Sequence, residues 1–297
     1  MVCSRRIISG PVISRTLQLA IVAVSVFLLH SAAQLSIQFQ TLDREVIVAR
    51  LKSFSDRNDE REKTLKQMFA QSGCRDDRLS EQKVKNALPP NLVCVLPGET
   101  DAVILVGAHS DHVSRGDGVV DNWSGASLLP SLFYSMDQQP RRHTFVFVAF
   151  TDEEGGLVGS EFYARTLPQD QRSKISAMVN MDTLALGPTE VWSSHSDKVL
   201  LEALADTAYA MKIPVTAVNV DGVGSSDSES FARYNIPRIT LHSVTDATWP
   251  ILHTARDRMD AVKMDDYFTS YRLIAAYLSY LDSSLDAPAA PVKKAVP

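Results

Sequence analysis

The sequence lacks the charge pattern of a nucleic-acid-binding protein. It carries 30 lysine and arginine residues against 35 aspartate and glutamate residues, for a net charge of −5 at pH 7. It contains no basic stripe, no RNA-binding aromatic motif and no internal repeat, so we expect neither a nucleic-acid partner nor a repeat architecture. Its 297 residues, 45% of them hydrophobic, suffice for one sizeable α/β domain or two small ones.

Long apolar runs are also scarce, and one of them lies near the N-terminus. Residues 17–29 follow arginines at positions 5, 6 and 15, and this run is short for a membrane span. Small residues at 31–33 then suit cleavage by a signal peptidase. We therefore predict a signal peptide over residues 1–33 and an exported protein, periplasmic or extracellular, without stable membrane association. An uncleaved membrane anchor is the alternative.

Cysteine is rare, with three residues in the whole chain. Removing the predicted signal peptide leaves Cys74 and Cys94, and an even count in an exported protein indicates a disulfide. Two buried thiols are the alternative. A bridge would close a loop of about twenty residues, which stabilises a protein by roughly 3 kcal/mol in the chain-entropy model.

Apolar periodicity predicts strands that alternate with helices along the rest of the chain. Apolar runs predict strands at residues 92–96, 101–108, 145–150, 175–181, 215–220 and 238–241, with an edge strand at 189–192. Helical spacing predicts helices within residues 43–69, 126–136, 160–166, 198–211, 228–234 and 265–281, and the polar residues 75–90 indicate a loop. This alternation is typical of a mostly parallel α/β sheet flanked by helices. We expect one domain over residues 34–285 and a disordered tail at 286–297.

Three of the predicted strands end in side chains that can bind a metal. His109 follows the second strand, Glu153 and Glu154 follow the third, and Asp182 follows the fourth. Because ligands of such sheets bind beyond the carboxyl ends of the strands, these side chains should meet at one edge, joined by Asp121 from a nearby loop. Imidazole and carboxylate ligands without a thiolate suit a divalent cation, with zinc first. A positive ion would also offset the repulsion between two adjacent, partly dehydrated glutamates.

Six motifs together resemble peptidase family M28, a family of zinc exopeptidases. They occur in that family's order and spacing, which argues against chance, and they extend from about residue 101 to the last predicted helix. The resemblance implies a zinc-exopeptidase-like fold, in which a mostly parallel mixed sheet is sandwiched between helices as in phosphorylase/hydrolase-like proteins. The motifs are His109-x-Asp111, Gly118-x-x-Asp121-Asn122-x-Ser124-Gly125, Glu153-Glu154 with Gly159-Ser160, Asn180-Met181-Asp182, Ser226-Asp227 and His253-Thr254-x-x-Asp257.

The resemblance implies a site for two zinc ions in an aminopeptidase that acts on a peptide or aminoacyl substrate. Asp121 would bridge the two ions. His109 and Asp182 would complete one site, and Glu154 and His253 would complete the other. Two ions held close together lower the pKa of a shared water, which can then attack the scissile bond.

The same resemblance assigns roles to acids that bind no metal. Glu153 would be the general base, which takes the proton of the attacking water and passes it to the leaving amine. Asp111 and Asp257 would hold the ligand imidazoles, and Asp227 would lie near the site. The peptide bond after Asp121 would be cis.

Two positions depart from the family pattern. Leu252 stands where many members have a tyrosine whose hydroxyl can stabilise the developing oxyanion, and Ser228 stands where a histidine is common. A glutaminyl-peptide cyclotransferase, which has a similar fold and a single zinc, is the alternative enzyme, because the segment Pro250–His253, with Trp249 close by, resembles that branch. A binding ectodomain without catalytic activity is a further alternative. Zinc content separates the three: two ions for the peptidase, one for the cyclotransferase and none for the ectodomain.

Overall fold

The structure is a computed structural model that describes residues 37–222 and 224–286. The predicted signal peptide lies outside the described residues, as does the predicted tail from residue 287 onward. Within the described part of the chain, no helix combines the length and the apolar character needed to cross a membrane.

Eight strands form one mixed sheet at the centre of the fold. They are β1 (Leu79–Gln82), β2 (Asn91–Leu96), β3 (Val103–His109), β4 (Thr144–Phe150), β5 (Ile175–Met181), β6 (Glu190–Val191), β7 (Thr216–Ala217) and β8 (Arg238–His242). Their order across the sheet is β1-β2-β4-β3-β5-β8-β6-β7. The four central strands β4, β3, β5 and β8 are parallel, whereas β1, β2 and β6 pair antiparallel with β2, β4 and β8 respectively. The predicted fold class, a mostly parallel mixed sheet flanked by helices, is confirmed.

Helices cover both faces of the sheet, and this explains the continuous apolar runs of the central strands. Alternate residues of β4 enter two separate buried clusters: Phe145 and Phe147 face one layer, while Val146 and Val148 face the other. The helices are α1 (Arg44–Lys52), α2 (Asn58–Gln71), α3 (Ser124–Ala126), α4 (Leu129–Asp137), α5 (Val158–Thr166), α6 (Gln169–Arg172), α7 (Lys198–Met211), α8 (Glu229–Ala232) and α9 (Met264–Ser284). The first layer receives side chains from α1, α2, α3, α4, α7 and α9, and the second from α5 and α8.

Four details differ from the sequence prediction. Strand β7 covers only Thr216–Ala217 of the strand predicted at 215–220. Residues 75–90 contain strand β1, whose polar side chains alternate too weakly to indicate a strand because it lies at the sheet edge. The helical pattern of residues 43–69 divides into α1 and α2. The strand predicted at 189–192 is β6, which is not at the edge, since β7 pairs with it on its outer side.

The register of the parallel strands brings their carboxyl ends to one edge. His109 of β3 is opposite Phe150 of β4, and Gly107 of β3 is opposite Asn180 of β5. The residues that follow these strands therefore emerge side by side, as the sequence predicts.

Candidate metal centre

Two groups of side chains that could hold a metal ion lie at this edge and share one aspartate. His109, Asp121 and Asp182 form the first group, and Asp121, Glu154 and His253 form the second; the ligand atoms within each group lie within 4.8 Å of one another. The His109 Nε2 atom is 3.3 Å from Asp121 Oδ1 and 3.6 Å from Asp182 Oδ1. The His253 Nε2 atom is 3.1 Å from Asp121 Oδ2 and 3.0 Å from Glu154 Oε2. The fold thus brings together the five residues predicted to bind zinc.

Glu153 lies beside these groups without belonging to either. Its Oε2 atom is 4.0 Å from His109 Nε2, and only 11% of its side chain is exposed. Burial raises the pKa of Glu153 to about 10; His109 opposes the shift, while the carboxylates of Asp227, Asp182 and Asp121 add to it. The residue predicted to be the general base therefore sits in a strongly anionic, poorly hydrated position.

Asp111 holds the turn that carries both glutamates. Its Oδ1 and Oδ2 atoms accept hydrogen bonds from the backbone N–H groups of Glu153 (3.1 Å) and Glu154 (3.2 Å). The Oδ1 atom also lies 3.6 Å from His109 Nδ1. Burial alone would raise the pKa of Asp111, but the interactions with His109 and with the two N–H groups lower it. One buried carboxylate thus holds the glutamate turn and lies beside the predicted ligand His109, whose Nδ1 atom is 3.3 Å from the Asp111 backbone carbonyl.

Asp257 contacts a different part of the site from the one expected. Its two carboxylate oxygens accept hydrogen bonds from the backbone N–H groups of Val120 (2.7 Å) and Asp121 (3.0 Å), and neither lies within 4.0 Å of the His253 ring. The Asp257 N–H group donates to the Thr254 carbonyl (3.1 Å), so a turn separates His253 from Asp257. His253 itself has a left-handed backbone with φ of 56°, a strained conformation that is concentrated at functional sites.

The loop that carries Asp121 is fixed by the asparagine that follows it. The peptide bond between Asp121 and Asn122 is cis, as the resemblance predicts. The Asn122 side chain donates to the Met181 carbonyl (2.9 Å) and accepts from the N–H groups of Gly125 (3.0 Å) and Thr183 (3.1 Å). A Cβ atom on Gly125 would lie 2.6 Å from Asn122 Oδ1, which explains why the motif contains a glycine at this position.

The Ser226-Asp227 motif lies next to Asp182, one of the predicted ligands. The Ser226 hydroxyl donates to Asp182 Oδ2 (2.7 Å) and accepts from the Asn180 side chain (2.7 Å). This role of Ser226 was not predicted, because a single serine has no distinguishing signal in a sequence. Asp227 is fully buried, and neither of its carboxylate oxygens has a hydrogen-bond partner within residues 37–222 and 224–286. Burial raises the pKa of Asp227 to about 7.

Carboxylates outnumber cationic side chains around the two groups. Hydrogen bonding to Asp121 raises the pKa of His253 to about 9, whereas burial raises the pKa of Glu154 to about 7. The Oε1 atom of Glu154 is buried without a hydrogen-bond partner in the part of the chain that the structure describes. Divalent cations fit this arrangement, because they would neutralise the surplus charge and contact the unpaired oxygen. The seven carboxylates around the two metal-binding groups are those of Asp111, Asp121, Glu153, Glu154, Asp182, Asp227 and Asp257.

A cavity of about 510 Å³ opens next to the metal-binding side chains. Trp192 and Trp249 form part of its wall, and Trp249 is 40% exposed. Leu252 also lines it and packs with Val120 and Val244, so no hydroxyl is present at that position. Ser228, the other departure from the family pattern, accepts a hydrogen bond from the Thr240 hydroxyl (2.8 Å) and is buried.

The structure bonds the two predicted cysteines to each other, away from the metal-binding residues. Cys74 and Cys94 form a disulfide with a Cα–Cα distance of 6.4 Å, and both are fully buried. The bond connects the segment that follows α2 to strand β2. It therefore attaches the N-terminal helices to the sheet.

The sequence pattern of peptidase family M28 matches residues 91–278. This match covers more than half of the chain, and the chain therefore belongs to peptidase family M28. The matched segment contains all the residues predicted to bind metal and the predicted base.

Curated relatives include the leupeptin-inactivating enzyme 1 of Streptomyces exfoliatus, which is 31% identical over 162 residues. That alignment covers 53% of this chain and 36% of the relative. Aminopeptidase Y of Saccharomyces cerevisiae is 27% identical over 207 residues, which cover 63% of this chain and 37% of the relative. The chain thus spans little more than a third of the length of these two relatives.

Solved structures with the same fold include enzymes of two kinds. A zinc aminopeptidase from Bacillus subtilis superimposes with a TM-score of 0.60 and 20% identity, covering 70% of this chain and 51% of that structure. A glutaminyl cyclase from an Acidobacteriales bacterium superimposes with a TM-score of 0.69 and 17% identity, covering 85% of this chain and 98% of that structure. At these identities the likeness establishes the fold.

Proposed function

We propose that this protein is a zinc-dependent aminopeptidase that hydrolyses the N-terminal bond of peptides or aminoacyl compounds. The observation that carries the proposal is the pair of metal-binding groups that share Asp121 in a chain of a peptidase family. The names of the relatives, which include aminopeptidases and a zinc aminopeptidase, agree with it.

The proposed ligands divide into two sets. His109 and Asp182 would hold one ion, Glu154 and His253 would hold a second, and Asp121 would contact both. Divalent ions bound in this way supply Lewis acidity, which lowers the pKa of a water and polarises a carbonyl oxygen. Their positive charge also favours the ionised form of nearby carboxylates.

Glu153 is the proposed general base. Its carboxylate lies next to the metal-binding groups but belongs to neither, so it remains free to accept a proton from the attacking water. It then donates that proton to the nitrogen of the leaving amine as the peptide bond breaks. Asp111 fixes the backbone that carries Glu153 and Glu154 by accepting a hydrogen bond from the N–H group of each.

A glutaminyl-peptide cyclotransferase is the second candidate. One observation favours it: the chain matches nearly the full length of a glutaminyl cyclase structure, whereas it covers about half of the Bacillus subtilis zinc aminopeptidase. The absence of a hydroxyl at Leu252 agrees with this candidate as well. The complete second set of ligands supports the aminopeptidase instead, because the cyclotransferase would use a single ion.

Zinc content and product analysis test the proposal on the purified mature protein. We expect two zinc ions per chain and hydrolysis of aminoacyl chromogenic amides that a chelator abolishes and zinc restores. One ion per chain with cyclisation of N-terminal glutamine and release of ammonia would establish the cyclotransferase. A protein that binds no zinc and cleaves no amide would contradict both.

We also propose that the mature protein begins near residue 34, is exported, and forms one domain to residue 285. The short apolar run at residues 17–29, followed by small residues at 31–33, supports this processing. Intact-mass measurement of the native protein tests it. A full-length N-terminus in the membrane fraction would contradict it.

A further inference from the structure

Arg61 is a fully buried cation that the proposed reaction does not use. It lies in α2, outside the segment that matches the family, and its exposed fraction is 0%. Arginine is rarely buried to this extent without an ionic partner. In the part of the chain that the structure describes, no carboxylate oxygen lies within 4.0 Å of its guanidinium. Its donors must therefore serve another purpose.

The guanidinium of Arg61 instead binds backbone carbonyls at both ends of the loop that separates His109 from Asp121. Its Nη1 atom donates to the carbonyl of Ser110 (3.2 Å), and its Nη2 atom donates to those of Asp117 (2.6 Å) and Gly118 (2.8 Å). Ser110 directly follows the first ligand, and Gly118 lies three residues before the shared one. The planar fork of an arginine can hold several acceptors at fixed angles.

The contact with this loop leaves little free space. Gly118 has φ of 56°, and a Cβ atom there would lie 2.6 Å from Arg61 Nη2 and 2.4 Å from His112 Cβ. On its other side the guanidinium lies 5.6 Å from the centre of the Trp123 ring, within the range of a cation–π interaction. Any displacement of Arg61 would therefore be transmitted to the loop.

The charge of Arg61 also faces the anionic site. Burial lowers the pKa of Arg61 to about 10, a shift that the carboxylates of Asp257, Asp111 and Asp121 oppose, so the side chain is cationic at neutral pH. Asp257 binds the same loop through the N–H groups of Val120 and Asp121. The loop is thus bound by both a buried cation and a buried anion.

We propose that Arg61 is a positioning residue for the metal centre, which sets the distance between His109 and Asp121 by holding the loop between them. This inference rests on the proposed function. It predicts that a helix outside the family's common segment contributes to zinc affinity without contacting zinc or substrate. Partners of this kind typically contribute about 10- to 100-fold in metal affinity or activity.

The test compares Arg61→Met and Arg61→Lys with a matched control, Arg50→Met, in the full mature chain. Arg50 is a partly buried arginine of α1 whose guanidinium donates to the hydroxyls of Ser131 (2.8 Å) and Ser72 (2.7 Å), neither of which lies in the loop. Zinc affinity is measured by chelator competition without substrate. Two further measurements are made on each variant. One is the thermal unfolding of the zinc-free protein, and the other is kcat and KM for an aminoacyl amide at saturating zinc.

We expect Arg61→Met to weaken zinc binding by about 10- to 100-fold. At saturating zinc its kcat should fall by about tenfold with KM within about twofold, because misplaced ligands impair the reaction more than substrate binding. Arg61→Lys, which keeps the charge but loses the fork, should bind zinc with intermediate affinity. Arg50→Met should lower the unfolding temperature and leave zinc affinity unchanged.

Wild-type zinc affinity in Arg61→Met, or an equal loss in Arg50→Met, would overturn the inference. If Arg61→Met does not fold, Arg61→Lys decides: unaltered zinc affinity in that variant overturns the inference, and a loss with unchanged circular dichroism supports it. A wild-type protein that binds zinc but cleaves no aminoacyl amide would refute the proposed function alone, because zinc affinity is measured separately.

Discussion

The two ends of strand β4 carry the same chemical groups, imidazole and carboxylate, in different proportions. At the amino end, His143 Nδ1 lies 3.1 Å from Asp282 Oδ1, and that carboxylate also accepts hydrogen bonds from the N–H groups of Arg142 and His143. At the carboxyl end, seven carboxylates surround the imidazoles of His109 and His253, and three carboxylate oxygens, of Glu154 and Asp227, have no hydrogen-bond partner within the described residues.

The difference distinguishes a structural pair from a ligand site. The Asp282 carboxylate is satisfied by groups of the chain itself and so can stabilise the fold without a bound cation, although His143 Nε2 is buried without a hydrogen-bond partner among the described residues. At the other end, carboxylate oxygens of Glu154 and Asp227 are buried without a hydrogen-bond partner among the described residues, and burying them is costly unless a cation is bound. Substitutions at the carboxyl end should therefore alter zinc binding or turnover, whereas substitutions in the His143–Asp282 pair at the amino end should alter stability only.

The largest effect should come from separating the two adjacent glutamates. Glu153→Ala should retain zinc but lose about 10² to 10⁴ in kcat, because a general base is removed. Glu154→Ala should lose zinc and activity together. Metal analysis and steady-state kinetics of both variants check this prediction. A fully active Glu153→Ala, or one that loses zinc as Glu154→Ala does, would show that the roles are assigned wrongly.

The disulfide tests the prediction that a structural bond away from the site affects stability and not zinc binding. Replacing Cys74 and Cys94 by alanine opens a loop with a sequence separation of 20. The unfolding free energy should fall by roughly 3 kcal/mol in the chain-entropy model, while zinc affinity stays unchanged. Denaturant unfolding and chelator competition provide the measurements. Quantitative alkylation of both thiols in the native protein without reductant would rule out the bond.

Substitution of Asp111 should lower zinc affinity, although we do not propose Asp111 as a metal ligand. In Asp111→Asn one oxygen becomes an NH₂ group, which cannot accept from the N–H groups of Glu153 or Glu154. Zinc affinity should fall by about 10- to 100-fold, as is typical for partners of ligand residues. Asp282→Asn serves as the matched control. Equal zinc affinities in the two variants would remove the distinction between the ends of β4.

The smallest effect should come from Asp282→Asn, and it should depend on pH. Burial alone would raise the pKa of Asp282, but its hydrogen bonds with His143 and with the backbone lower it. Because the pKa is lower in the folded state, the ionised carboxylate stabilises the fold at pH values above about 3.9, the pKa of an aspartate in the unfolded chain. The variant should lose roughly 1 kcal/mol of unfolding free energy at pH 7.

This loss should diminish as the pH falls below about 3.9, through the lowered pKa of Asp282, because the wild-type carboxylate then becomes neutral as well. Denaturant unfolding of both proteins at pH 7 and at pH 3 checks the sign. A difference that persists unchanged in acid would show that the charge of Asp282 contributes nothing.

Strand periodicity predicted the central sheet well and its margins poorly. The runs that became β3, β4 and β5 are apolar throughout because both faces are covered, and such runs are recognisable in a sequence. Strand β1 was predicted as a loop and β7 is much shorter than predicted, because edge strands have exposed, polar faces. An edge strand forms because a neighbouring strand pairs with its backbone, and this pairing leaves no pattern in the edge strand's own sequence.

The sequence by itself determined which residues follow the central strands, and hence that His109, Glu153, Glu154 and Asp182 meet at one edge. This follows because parallel strands end together and side chains leave each end at a fixed position. The tertiary structure decided the contacts between distant segments. Asp257 binds the Asp121 loop instead of the His253 ring, and the guanidinium of Arg61 reaches carbonyls 49 to 57 residues away. Backbone carbonyls and N–H groups are the same in every residue, so no sequence pattern identifies which of them a buried side chain will bind.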